Sequence, residues 1–249
     1  MKLIHKFKSP NFDKRKSSKI LFIIIHYTAL KNYREAISYL SDPKNKVSSH
    51  YLISQTGAIF NLVSEKNRAW HAGISYWDGI TDLNSTSIGI ELDFSNYKKN
   101  KNYSKKMINS LVKLLINLQK KYNIKKTNIL GHSDIAPFRK KDPGPKFPWN
   151  ILRKKSLVLD PNKQNPYKIS FIKKWFKKNK LNTSKKMTIF ILSYLGYDTI
   201  NLKQDNYSLS KIIMAYQNHF IQSNITGKVD NVTLNFLIKH LLNNLLTKT

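Results

Sequence analysis

His26, His132 and Asp142 are the residues of this chain whose types and settings could hold a catalytic metal. His26 falls near the end of a continuous apolar, β-branched run (KILFIIIHY, residues 19–27). His132 follows the short apolar stretch 128–131, and Asp142 stands at the head of the Pro- and Gly-rich loop 142–148. Two imidazoles and a carboxylate, with a fourth position left to water, form a catalytic rather than a structural zinc set. A zinc ion so held lowers the pKa of its water to ~7 and polarises a carbonyl. Glu91 adds an acid to the otherwise apolar segment SIGIEL, residues 87–92. An unpaired carboxylate is costly there, and burial raises its pKa towards the range useful for proton transfer. Spacing alone does not establish the site. A lone histidine at a strand end is more often a hydrogen-bonded structural residue, and a lone acid in a strand can be half of a salt bridge.

These residues need elements to position them. Residues 19–27 read as a strand buried on both faces, and residues 33–40 have helical spacing and stop before Asp42-Pro43. Residues 50–54 and 58–63 flank Gln55-Thr56-Gly57 as a hairpin, and residues 87–92 form a further strand. Residues 104–122 predict a long amphipathic helix with Ser104 as N-cap and Met107, Leu111, Leu114, Leu115 and Leu118 on one face. Strands thus mix with helices around one sheet, an α/β domain assigned to residues 1–165. The stretch 160–166 (DPNKQNP) reads as a linker. Beyond it only helical patterns remain: 169–178, 187–195 with Gly196 behind it, 209–220, and 232–246 with Asp230 ahead of it. Residues 166–249 are read as a second, small all-α domain.

Composition narrows the function classes. The chain has 249 residues, enough for a sizeable core, and 44 Lys and Arg against 14 Asp and Glu give a net charge of +30. The excess is spread over both parts, and the sequence is rich in Lys, Asn and Ile, so it reads as a solvated basic surface. No recognition helix or stacking motif accompanies it, and no nucleic-acid partner is expected. The absence of cysteine excludes disulfides and thiolate metal sites. The first ten residues lack an apolar core of signal-peptide length, and the run 20–25 is too short to span a bilayer, so no transmembrane segment is expected. The expected compartment is the cytoplasm, with the cell envelope as the alternative.

The string GHSDIAPFRKKDPGPKFPW, residues 131–149, resembles the signature of the amidase-2 family, the AmpD-like N-acetylmuramoyl-L-alanine amidases. SPNFDKR (9–15), FIIIHYTA (22–29), VSSHYLIS (47–54), AWHAGISYWDG (69–79) and LNSTSIGIELDF (83–94) match in the same order, so the resemblance covers nearly all of residues 9–150. It implies a central mixed sheet flanked by helices and one zinc ion held by His26, His132 and Asp142. It also implies Glu91 as the catalytic acid–base and Lys140 as the catalytic lysine. Composition alone would let Lys140 be surface charge between Arg139 and Lys141. Two residues from Asp142 on an extended loop, its ammonium would face the metal and suit an oxyanion. The implied substrate is peptidoglycan or soluble anhydro-muropeptides. Trp70, His71, Trp77 and Asn84 fall in the part of the chain that lines the family's substrate groove, with ordinary packing as the other reading of the aromatics. Some relatives carry a catalytic tyrosine just before the position of His50; here Ser49 stands there, and His50 reads as structural. The words ILSYLGYD (191–198), IIMAYQNHF (212–220) and TGKVDNVTLNFL (226–237) look like a peptidoglycan-binding three-helix module, with a generic helical bundle as the alternative.

Overall fold

The computed structural model describes residues 2–95, 102–162, 169–203 and 208–246. Leu3–Ile4 (β1) and Phe12–Lys14 (β2) precede the strand Phe22–Tyr27 (β3), the helix Tyr33–Ser41 (α1), and the strands Tyr51–Ile53 (β4) and Ile59–Asn61 (β5). Asn67–Ala69 (β6), the one-turn helix Leu83–Thr86 (α2), Ser87–Leu92 (β7) and the long helix Lys105–Tyr122 (α3) follow. Ile129–Gly131 (β8) leads straight into His132–Ile135 (α4), and Trp149–Lys154 (α5) closes this part. Among the described residues beyond it, the α-helices are Ile169–Lys178 (α6), Ser184–Leu195 (α7), Leu209–Phe220 (α8) and Asn231–Leu246 (α9). The strands β1-β5-β4-β7-β3-β8 form one mixed sheet in that order, parallel except for the β4–β5 hairpin. β2 and β6 make a separate antiparallel pair.

The expected strands and helices are found, with ends shifted by a few residues. Gly57 turns the hairpin at φ +85°, a conformation that favours glycine. Ser104 Oγ accepts the Met107 N–H at 3.0 Å, capping α3 as its sequence indicates. The structure adds β1, β2 and β6, which no apolar period marks: β1 is two residues long and β2 is exposed throughout. Residues 163–166 of the expected linker lie outside the described residues. No helix among the described residues is long and apolar enough to cross a membrane.

Strand alternation divides the core and locates the site. From β3 and β7, Ile23, Ile25, Ile88, Ile90 and Leu92 pack with the apolar face of α3. Phe22 and Ile24 belong to a second cluster on the opposite face, with Ala72, Trp77 and Leu83. His26 shares the parity of Phe22 and Ile24, and Glu91 lies directly across from it in the parallel register. Both therefore stand on this second face, at the carboxyl ends of the two strands, the usual location of sites in α/β sheets. The same cluster runs on into α6–α9 through Phe176, Ile191, Leu192, Ile213, Tyr216 and Leu237. The helices are thus seated directly on the sheet-bearing part through shared apolar side chains.

Candidate active site

Three short segments deliver the cluster foreseen in the sequence. His26 ends the buried part of β3, His132 opens α4 after β8, and Asp142 is held by its own carbonyl, which accepts the Ser133 N–H at 2.8 Å. Gly131 lets the Asp142–Pro143 segment lie close: a Cβ there would come within 2.6 Å of Pro143 Cδ. His26 Nδ1 lies 2.9 Å from His132 Nδ1 and 3.1 Å from Asp142 Oδ2, and His132 Nδ1 lies 3.0 Å from the same oxygen. Among the described residues this is the group of three or more His, Asp or Glu residues whose donor atoms could hold a metal ion.

The protons on the two rings follow from their other contacts. Ser87 Oγ donates to the Leu83 carbonyl at 2.5 Å, so it accepts from His71 Nε2 at 3.2 Å. His71 Nδ1 is then an acceptor and takes the His26 Nε2–H at 3.1 Å, which leaves Nδ1 of neutral His26 as a lone pair. His132 Nε2 lies 3.0 Å from the Ala72 carbonyl and must donate to it, so its Nδ1 is also a lone pair. Burial, with His132 beside it, lowers the His26 pKa to about 4; burial and the neighbouring His26 and His50 hold His71 well below the usual range. Two imidazole lone pairs and a carboxylate oxygen therefore meet at one point. Such an arrangement could hold a metal ion.

Glu91 lines the same cleft, of about 480 Å³, with Lys140 and Trp70. Its Oε2 is buried without a hydrogen-bond partner in the protein. Burial first, and the charge of Asp142 second, push its pKa up to about 8 against the opposing pull of Lys140. Glu91 thus joins a raised pKa to a carboxyl oxygen that no protein group satisfies, the kind of perturbed group that marks candidate functional sites.

The four residues expected to line the substrate groove separate. Trp70 borders the cleft. His71 borders it too, but its ring is spent on the His26–Ser87 chain. Asn84 is buried, and its Oδ1 accepts the backbone N–H groups of His71 and Ala72 at 3.0 and 2.7 Å. Trp77 lies away from the cleft, edge-on to Tyr197 at 4.8 Å. Asn84 and Trp77 are thus not among the residues that line this cleft; their side chains are buried against neighbouring parts of the chain. His50 is internal as expected, its Nδ1 accepting the Gly89 N–H at 3.0 Å. Sequence reasoning missed Ser87, Gly89 and Arg139 as supports. Arg139 Nη2 donates to the carbonyls of Ala72 and Ile74 at 2.8 and 2.7 Å. At Gly89 a Cβ would stand 2.4 Å from His71 Cγ. A glycine inside a strand signals such close approach, and that signal was available.

Comparison with known proteins places this arrangement in a family. Residues 16–145 match the family model described as N-acetylmuramoyl-L-alanine amidase. N-acetylmuramoyl-L-alanine amidase AmiD of Escherichia coli is 34% identical over 229 residues, 86% of this chain and 80% of that protein. A solved structure of AmiD with the substrate anhydro-N-acetylmuramic acid-L-Ala-D-gamma-Glu-L-Lys superposes with a TM-score of 0.75 at 29% identity, covering 95% of this chain and 94% of the other. A structure of AmpDh3 from Pseudomonas aeruginosa, in complex with anhydromuramic pentapeptide, gives a TM-score of 0.73 at 30% identity over 93% of this chain and 94% of that one. The chain belongs to the amidase-2 family of N-acetylmuramoyl-L-alanine amidases, hydrolases built on a mixed sheet with flanking helices.

Proposed function

We propose that this protein uses one zinc ion to hydrolyse the amide between the lactyl group of N-acetylmuramic acid, or its 1,6-anhydro form, and L-alanine. The observation that carries this is the acceptor-only triangle of His26 Nδ1, His132 Nδ1 and Asp142 Oδ2, 2.9–3.1 Å on each side. Tetrahedral zinc with bonds of ~2.0–2.1 Å wants donors ~3.3 Å apart, so the triangle needs to open by only a few tenths of an ångström. The nitrogen and oxygen donor set is that of a catalytic site, with one position left for water or substrate.

Bound there, zinc would supply Lewis acidity to the lactyl carbonyl and make water a nucleophile near neutral pH. Glu91 takes the proton from the attacking water and returns it to the departing alanine nitrogen. Its unpartnered Oε2 and raised pKa suit both halves of that exchange. Lys140 lines the same cleft, and its ammonium would offset the charge that grows on the lactyl oxygen. Trp70 offers an apolar face to the sugar or stem peptide. The substrate class is supported by the complexes of AmiD and AmpDh3 with anhydromuramyl peptides. The test is mass spectrometry of products from sacculi and from anhydro-muropeptides, with the zinc-loaded and the chelated protein. Free stem peptide beginning at L-alanine, released only with zinc, is the expected result. Cleavage elsewhere, or unchanged cleavage after chelation, would overturn the reading.

A further inference from the structure

Asp134 lies two residues after His132 and is completely buried. Its Oδ2 accepts the Gly131 N–H at 2.7 Å and His219 Nδ1 at 2.8 Å, and its Oδ1 accepts the Tyr197 hydroxyl at 2.7 Å. A buried carboxylate is tolerated only when donors satisfy it, and two of these three donors come from the C-terminal helical part. The third is the backbone amide immediately before His132. We propose that the helical part is a working support of the metal site, with Tyr197 and His219 acting through Asp134 as positioning residues for His132.

Both donors are themselves held firmly. Tyr197 follows Gly196, whose φ of +111° ends α7 and whose carbonyl accepts the Asp78 N–H at 2.9 Å. A Cβ at Gly196 would come within 2.8 Å of the Trp77 ring, so the backbone presses on the sheet-bearing part without a side chain between. His219 stacks on Trp149 at 3.6 Å and on Phe220 at 3.9 Å. Its Nε2 has no partner, which fits a neutral ring whose single proton sits on Nδ1 and points at Asp134. The LGY word lies at this contact. Its glycine and tyrosine form the seam to the catalytic part, while Gln217 turns inward to Thr226, Gly227 and Thr233.

The inference rests on the reading that His26, His132 and Asp142 hold zinc. Outer partners of metal ligands typically set 10–100-fold in affinity, because a ligand displaced by a fraction of an ångström binds less well. The experiment measures the zinc dissociation constant by chelator competition in the full chain, together with Tm and amide exchange at residues 131–135. Tyr197→Phe removes one hydroxyl and keeps the ring. It is expected to weaken zinc binding about tenfold and to speed exchange at 131–135 in the metal-free protein. His219→Leu should act likewise, and His219→Asn, which keeps an N–H near the position of Nδ1, should restore most of the affinity. Asn243→Ala breaks a different contact, to the Pro161 carbonyl, and should lower Tm without changing the zinc constant. Should His219→Leu fail to fold, Tyr197→Phe decides alone. A zinc constant in Tyr197→Phe within threefold of the unsubstituted protein overturns the inference while leaving the metal site standing. No zinc binding by the unsubstituted protein overturns the metal reading and this inference with it.

Discussion

Replacing Gly89 with alanine probes the support beneath His26. Gly89 is a strand residue with φ in the ordinary range, so alanine costs nothing in the backbone. The added Cβ would stand 2.4, 2.6 and 2.7 Å from Cγ, Cδ2 and Nδ1 of His71. Ordinary contact needs about 3.4 Å or more, so the ring must retreat by about 1 Å. That movement breaks the 3.1 Å bond to His26 Nε2, the 3.2 Å bond to Ser87, or both. Overpacking of a tight core costs about 1–3 kcal/mol, and each buried polar group left unpaired about 1–3 kcal/mol more. With one group unpaired, a loss of about 2–6 kcal/mol in unfolding free energy follows, with zinc affinity weaker by roughly 10–100-fold. Denaturant titration and chelator competition measure the two quantities. Adding His71→Ala to Gly89→Ala should relieve the clash and return part of the stability, but not the affinity, because the ring that orients His26 is gone. Stability within about 0.5 kcal/mol and unchanged zinc affinity in Gly89→Ala would refute the hydrogen-bond chain as the support of the site.

Other expectations follow from the cleft. Glu91→Gln should keep zinc and lower kcat by about 10²–10⁴-fold, read by product release on an anhydro-muropeptide. In the metal-free protein, Glu91 with its pKa raised to about 8 favours the folded state when protonated, and that preference fades as pH rises from ~4.5 to 8. Glu91→Gln should therefore make the metal-free protein more stable at pH 7, on the order of 3 kcal/mol, with the difference vanishing below about pH 4; denaturation at both pH values checks the sign. Lys140→Ala should lower kcat at least tenfold with zinc retained, whereas Lys113→Ala, exposed on α3 and away from the cleft, should leave kcat/KM near its original value.

The strands that carry the site were legible because period-two burial and β-branched runs leave little choice: FIIIHY and SIGIEL were identifiable as strands, and His26 and Glu91 fell on one face of them. The ligand triad was legible in two parts: the ends of the apolar segments and the Pro- and Gly-rich loop offered the candidates, and the family string of residues 131–149 singled them out. Residues 69–86 were not legible in that way. A loop has no period to say which side chains turn inward, so the sequence did not separate Trp70 and His71, which border the cleft, from Asn84 and Trp77, which do not. The four C-terminal helices showed their spacing plainly, but an amphipathic period does not name its partner. Nothing in LGY or QNHF alone announces that Tyr197 and His219 meet on a carboxylate beside His132.

An anomalous-difference map at the zinc edge, from crystals grown with zinc, bears most directly on the whole account. It should show one peak about 2.0–2.2 Å from each of His26 Nδ1, His132 Nδ1 and Asp142 Oδ2. A peak ligated elsewhere, or none at that triangle with zinc in excess, would contradict it.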